Sequence, residues 1–210
     1  MTDPIVISLP GLSGLSAPPG GLRRYGAPPG RYQATESGGL RIEAGPRTDL
    51  FIDPEGSAAA LNAPRLLAPL EGPFLLWTRV TVDFRSTFDA GGLVVWAGDR
   101  CWAKHCLELS PDGVPTVVSV VTRGVSDDCN AFPVTDGQVW LRIARTAAAY
   151  ACHASADGAR WTLVRHFALD GNGPVEAGFE AQSPLGEGCT ANFDVIGLER
   201  RLLTDVRDGT

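Results

Sequence analysis

Residues 101–110 read CWAKHCLELS, and the alternation of this stretch decides the fold. In a β-strand successive side chains point to opposite faces. Trp102, Lys104, Cys106 and Glu108 then share one face, and Ala103, His105, Leu107 and Leu109 share the other. The second face reads as core. The first carries an aromatic ring, an ammonium and a carboxylate, so it is either a solvated surface or the floor of a binding groove.

Working outward, short apolar or alternating runs recur along the chain. They are Pro4–Leu9, Leu40–Glu43, Phe74–Phe84, Gly92–Ala97, Trp102–Leu109, Pro115–Arg123, Val139–Arg145, Tyr150–Ser155, Trp161–Phe167, Val175–Ala181 and Cys189–Leu198. Asp-Gly turn signals separate many of them, at 110–113, 135–137, 156–158 and 170–173. The 25 glycines and 16 prolines are spread throughout, which disfavours long helices. Strands at this spacing predict an all-β sandwich or barrel built from antiparallel hairpins. Only the tail, 204–210, is expected to close with a short helical turn. The Pro/Gly-rich segment 16–31 reads as a surface loop. No linker divides the chain, so a single domain is expected over 1–210: an N-terminal strand and loop to residue 39, a core over 40–198 and a tail over 199–210.

The chain has 210 residues and a net charge of −6. It is long enough to bury a core without a metal or disulfide staple. No basic stripe marks a nucleic-acid or anionic-membrane surface. No signal peptide or apolar run of membrane-spanning length is visible. The five cysteines are an odd set without metal-type spacing, which suits reduced thiols in the cytoplasm.

Several short motifs, met in one order, resemble a known family. Trp102-Ala103-Lys104-His105-Cys106-Leu107-Glu108 is similar to its Trp-x-Lys-x-x-x-Glu strand. Thr48-Asp49-Leu50-Phe51, Asn62-Ala63-Pro64-Arg65 and Phe88-Asp89-Ala90-Gly91-Gly92-Leu93 resemble its earlier elements. Val120-Val121-Thr122-Arg123 with Ser126-Asp127, Ser155–Trp161 and Ser183-Pro184 resemble its later ones. The family is a widespread group of concanavalin A-like jelly-roll proteins of unknown function, often labelled "regulation of enolase protein". The resemblance runs from about Leu40 to Leu198. It implies a jelly-roll β-sandwich of two antiparallel sheets, one with a concave face open to solvent. Asp128-Cys129 departs from the family pattern, where many relatives carry an aromatic and a serine.

On that fold Trp102, Lys104 and Glu108 are expected to line the concave groove. An aromatic ring beside charged groups suits a carbohydrate or similar polar small molecule: the ring stacks on C–H faces and the charges bind hydroxyls. Asp49, Asp89, Arg123, Asp127, Glu180 and Gln182 sit on or beside the matching strands and are further binding candidates; Ser126 and Arg142 are others. Each could equally be structural, an Arg pairing with a carboxylate to hold a loop. Glu180 and Gln182 fall on one strand face, with Phe179 and Ala181 on the other. Ser155–Trp161 looks like the Asp-box of sialidases but is one residue short, and reads better as a structural turn capped by Asp157.

Enzyme templates fit less well. The alternating carboxylates of related jelly-roll glycanases are absent, as are a nucleophile elbow, a phosphate loop and a dinucleotide fingerprint. His105, His153 and His166 lack metal-ligand spacing, and His105 falls on the core face. Asp127, Asp128 and Asn130 are only a weak calcium pattern. Neither a metal nor a cofactor is expected. Three readings remain: a binding protein; a small lyase, isomerase, cyclase or hydrolase using Glu108 as acid or base with Lys104 tuning it; and a regulatory interaction domain.

Overall fold

The computed structural model describes residues 22–26, 31–170 and 174–210. The expected strand Pro4–Leu9 and most of the turn at 170–173 lie outside the described residues. Among the described residues the secondary structure is all β. Two seven-stranded antiparallel sheets pack face to face as a jelly-roll sandwich.

The first sheet holds β1 (Arg23–Tyr25), β6 (Arg65–Leu70), β8 (Ala90–Gly98), β9 (Cys101–Leu109), β10 (Pro115–Arg123), β11 (Val125–Pro133) and β15 (Val175–Gln182), in the order β1-β6-β15-β8-β9-β10-β11. The second holds β2 (Arg31–Ala34), β3 (Leu40–Ala44), β7 (Phe74–Asp83), β12 (Gln138–Arg145), β13 (Tyr150–Ser155), β14 (Thr162–Phe167) and β16 (Cys189–Glu199), in the order β14-β13-β12-β7-β16-β3-β2. A separate hairpin pairs β4 (Leu50–Ile52) with β5 (Ala59–Leu61).

The main core lies between the sheets. Ala103 and Leu107 of β9, Phe179 and Ala181 of β15, and Leu141 and Phe193 of the opposite sheet meet there. The alternation read in residues 101–110 therefore holds. His105 is fully buried on this core side, its ring nitrogens against the backbone oxygens of Val118 and His153. Burial pushes its imidazole down to about 4, so it stays neutral and is no catalytic base.

The sheets approach closely where β8 carries Gly91. A Cβ there would fall 2.4 Å from the Ala191 Cβ. Gly91→Ala should therefore force the sheets apart, at about 1–3 kcal/mol, and lower the melting temperature by roughly 3–10 °C. Thermal unfolding followed by circular dichroism checks this, and an unchanged melting point would mean the contact yields without cost.

The turns behave differently from one another. Residues 110–113 and 156–158 do close hairpins, β9–β10 and β13–β14. The turn at 135–137 instead carries the chain from β11 in one sheet to β12 in the other, so it is a crossover and not a hairpin. The segment 16–31, read as a loop, contains β1 and the start of β2. The tail does close with one turn, Gly209 N–H donating to Asp205 O.

Ser155–Trp161 is structural. The Asp157 carboxylate accepts from the Ala159 and Arg160 amides, and those bonds hold it well below the usual carboxylate range. Gly158 takes a φ of +74° against the face of Trp140.

Candidate functional site

The antiparallel registers place one row of side chains on the outer face of the first sheet. Gln182, Ala90 and Glu108 align across β15, β8 and β9, and Val94, Lys104, Val120 and Asp128 align across β8, β9, β10 and β11. The hairpin β4–β5 folds over part of this face. Its Ile52 N–H donates to Ser126 Oγ, which pairs with Thr122 Oγ1, and Asn62 side-chain oxygen accepts from the Asp49 amide.

The cover makes a second apolar cluster from Leu50, Leu67, Val94, Trp96, Trp102, Cys106 and Val118. Trp102 corrects the expectation of an aromatic groove floor. It is fully buried and stacked on Trp96, ring centroids 5.9 Å apart at 11°. The face is concave, but at Trp102 it is closed.

What stays open is a cavity of about 170 Å³ between the hairpin and the sheet. Asp49 and Phe51 of the hairpin arm, Phe88 and Pro184 of two loops, and Lys104, Glu108, Val118, Val120, Asp128 and Gln182 of the sheet line it. Lys104, only 2% exposed, donates to Gln182 Oε1 at 2.7 Å and lies 3.6 Å from Asp49 Oδ1. The Gln182 amide in turn donates to the Phe88 carbonyl. Phe88 holds a φ of +68°, a strained conformation for a bulky residue.

Charge is concentrated here. Burial alone would push the Lys104 ammonium down, but the anionic groups around it, Asp49 foremost, hold it above its ordinary value. Burial pushes Glu108 up to about 7, with Asp49 and Asp128 adding to the rise and Lys104 opposing it. Glu180 is fully buried on the same face but does not line the cavity. Both its carboxylate oxygens lack a hydrogen-bond partner, and burial lifts it to about 7.

Of the residues singled out in the sequence, Asp49, Lys104, Glu108 and Gln182 meet at this cavity, with Glu180 beside them. The others lie elsewhere: Ser126 holds the hairpin, and Arg142, in the second sheet, donates to the Gly209 carbonyl. Asp89 is buried and accepts from the Arg85 and Ser86 amides and from Ser183 Oγ, fastening the loop that presents Phe88. Asp127 faces the other side of β11 and pairs with Arg165 at 2.9 Å. Arg123 is exposed at the end of β10 and does not line the cavity. Phe51, Phe88, Val118, Val120 and Pro184 line it without having been expected as site residues, and Asp128 had been expected only in the weak calcium pattern. Strand parity separates Asp127 from Asp128 and Asn130, which undoes the calcium pattern. Among the described residues no group of His, Cys, Asp and Glu is placed to hold a metal ion. Cys106 is buried beneath the hairpin and its thiol is raised by that burial, so it is packing.

Residues 26–201 match the model of a family described as "Protein of unknown function (DUF1349)". The chain belongs to this family. Within its wider circle, "Regulation of enolase protein 1" of Saccharomyces cerevisiae is 28% identical over 131 residues, 62% of this chain and 66% of the yeast protein. This chain thus aligns with just under two thirds of that relative's length. A crystal structure of a functionally unknown Saccharomyces cerevisiae protein superposes with a TM-score of 0.78 at 24% identity, covering 86% of this chain and 97% of that one. The carbohydrate binding module CBM66 from Bacillus subtilis superposes at 0.53 and 13% identity, covering 81% and 91%. At these identities the two structures establish the DUF1349 chain's fold alone. No helix among the described residues is long and apolar enough to cross a membrane.

Proposed function

We propose that this protein binds a single sugar-sized polyol in the cavity between β4–β5 and the sheet. The observation that carries the reading is the floor. A buried ammonium, held by Gln182 and Asp49, faces a cavity walled by two phenylalanines. Burying such a network is costly, and an ammonium has three donors, so a ligand hydroxyl can complete its shell. The rings of Phe51 and Phe88 offer faces to sugar C–H groups.

Size narrows the reading. About 170 Å³ holds roughly six waters at about 30 Å³ each, less than the roughly 300 Å³ where drug-sized pockets begin. One sugar unit fits that space better than a chain. The shared fold with a carbohydrate-binding module is consistent with this, and five free thiols favour a reducing, cytoplasmic setting.

A second reading has its own support. Glu108, which lines the cavity and is pushed up to about 7 by burial, suits acid–base chemistry on a bound polyol.

A thermal-shift and calorimetric panel of monosaccharides and their oligomers tests the proposal. A monosaccharide at about 100 times its dissociation constant should stabilise the protein by roughly 2.7 kcal/mol. Phe88→Gly removes an aromatic wall and relieves the positive φ, so it should melt near the parent yet lose that shift. Binding confined to oligomers would sink the single-unit reading, and silence from every compound would sink the site. Proton NMR of the bound monosaccharide separates the readings: unaltered compound supports binding, a changed one supports catalysis.

A further inference from the structure

The cavity holds more negative charge than its protein partners neutralise. Asp49, Glu108 and Asp128 line it, against one cation, Lys104. That cation already faces Gln182 and Asp49, with Glu180 close by. Among the described residues, neither the half-buried Glu108 nor the exposed Asp128 makes a hydrogen bond or an ion pair through its carboxylate. Both Glu180 oxygens are buried without a hydrogen-bond partner, and the buried Asp49 oxygen has only its ion pair with Lys104. Arg65, the other cation near Glu180, spends its guanidinium elsewhere, donating to the Leu61 and Ala63 carbonyls and lying over the Trp96 ring at 4.3 Å.

A half-buried carboxylate without a counter-charge of its own, as Glu108 is, is expensive, because low dielectric strengthens its repulsion from Asp49 and Asp128. The arrangement persists at least cost when an occupant brings the missing charge. A metal ion would need oxygens converging on one point at about 2.3–2.6 Å, and no group among the described residues does so. An ammonium has no such demand, since each N–H seeks its own acceptor at about 2.7–2.9 Å.

We propose that the cavity selects by charge: it takes an amine-bearing polyol of amino-sugar type and rejects uronic acids and phosphorylated sugars. This rests on reading the cavity as a sugar-sized site. The ammonium of the occupant lies toward Glu108 and Asp128, its hydroxyls meet Lys104 and Gln182, and Phe51 and Phe88 flank the ring. The elevated titration of Glu108 is what an unneutralised carboxylate in this setting should display, and a bound ammonium would bring it down.

The test uses matched sets: glucosamine, glucose and glucuronate, then galactosamine, galactose and galacturonate, by isothermal calorimetry at pH 7 with the full chain. Calcium chloride is a separate arm. For at least one set the amine should bind about tenfold or more tighter than its neutral parent, and the uronate about tenfold or more weaker. In the Glu108→Gln/Asp128→Asn double variant the ratio of amine to neutral-parent affinity should fall to about one. Both substitutions are near-isosteric, and unchanged circular dichroism spectra confirm that the variant folds. Equal binding of amine and neutral sugar would overturn the selection by charge and leave the sugar site standing. A preference for uronate, or calcium binding that competes with the sugars, would overturn it too. No binding in any set would overturn both the selection and the site.

Discussion

Lys104→Met should cost this protein about 3–5 kcal/mol at neutral pH, measured by urea unfolding. Methionine nearly fills the volume of the lysine stem, so the loss would be electrostatic and not a cavity effect. The side chain is 2% exposed, and Asp49, Glu108 and Glu180 all act on its ammonium. Without it three carboxyl groups face one another in a part-buried space. Two of them already titrate near 7, so acid should relieve the variant. At pH 5 the deficit should fall to less than half. Adding Glu180→Gln to Lys104→Met should recover part of the loss, because the two residues interact and their effects are not additive. A deficit below about 1 kcal/mol, unchanged between pH 5 and pH 7.5, would mean that Lys104 behaves as a surface charge and that the cluster is not coupled.

The reach of sequence reasoning can be judged at particular strands. β10 and β13 coincide with the expected Pro115–Arg123 and Tyr150–Ser155, because continuous apolar runs ended by a clear turn leave little choice of boundary. β11 was missed because VSDDCNAFP is an edge strand: its outer side needs no apolar residues, so the period-two signal is absent. β6 was missed because Arg65 and Pro69 interrupt it. Yet Pro69 pairs only with Glu176 of β15, beyond the last β1 partner at Leu67, where its missing N–H costs no ladder bond among the described strands.

The site shows the same divide. Lys104, Glu108, Glu180 and Gln182 were legible because alternation along a strand is a local rule. The closure over Trp102 was not, since it depends on two three-residue strands landing on a distant sheet through Ser126. Asp128 was passed over for Asp127 because parity on β11 depends on the tight connection at Gly124, which pairs Arg123 directly with Val125. Phe88 was quoted as part of a motif, but no sequence pattern reveals a phenylalanine held at φ +68° by an aspartate beside it.

Glu180→Gln should make the protein more stable in alkali, with little effect in acid. The carboxyl titrates near 7 in the folded chain against an ordinary value of 4.5. Between those values the native state keeps a proton that the unfolded chain has lost. Stability from this group is therefore full below about pH 4.5, falls as pH rises toward 7, and is flat above. The shift corresponds to roughly 3 kcal/mol, and a glutamine, which cannot ionise, escapes that loss. Lys104 does not compete in this window, since its raised ammonium stays charged throughout. Two histidines do. Burial lowers His105 and His153 to about 4, so each takes stability away as pH falls below about 6.5, opposite in sign to Glu180. Glu108 adds a contribution of the same sign as Glu180. The parent's own pH profile is thus a blunt sum, and only the difference between variant and parent isolates the one carboxyl. That difference should be under about 1 kcal/mol at pH 5 and reach roughly 3 kcal/mol in favour of the variant by pH 8. A variant equally destabilised at both values would show that Glu180 is held ionised by a partner.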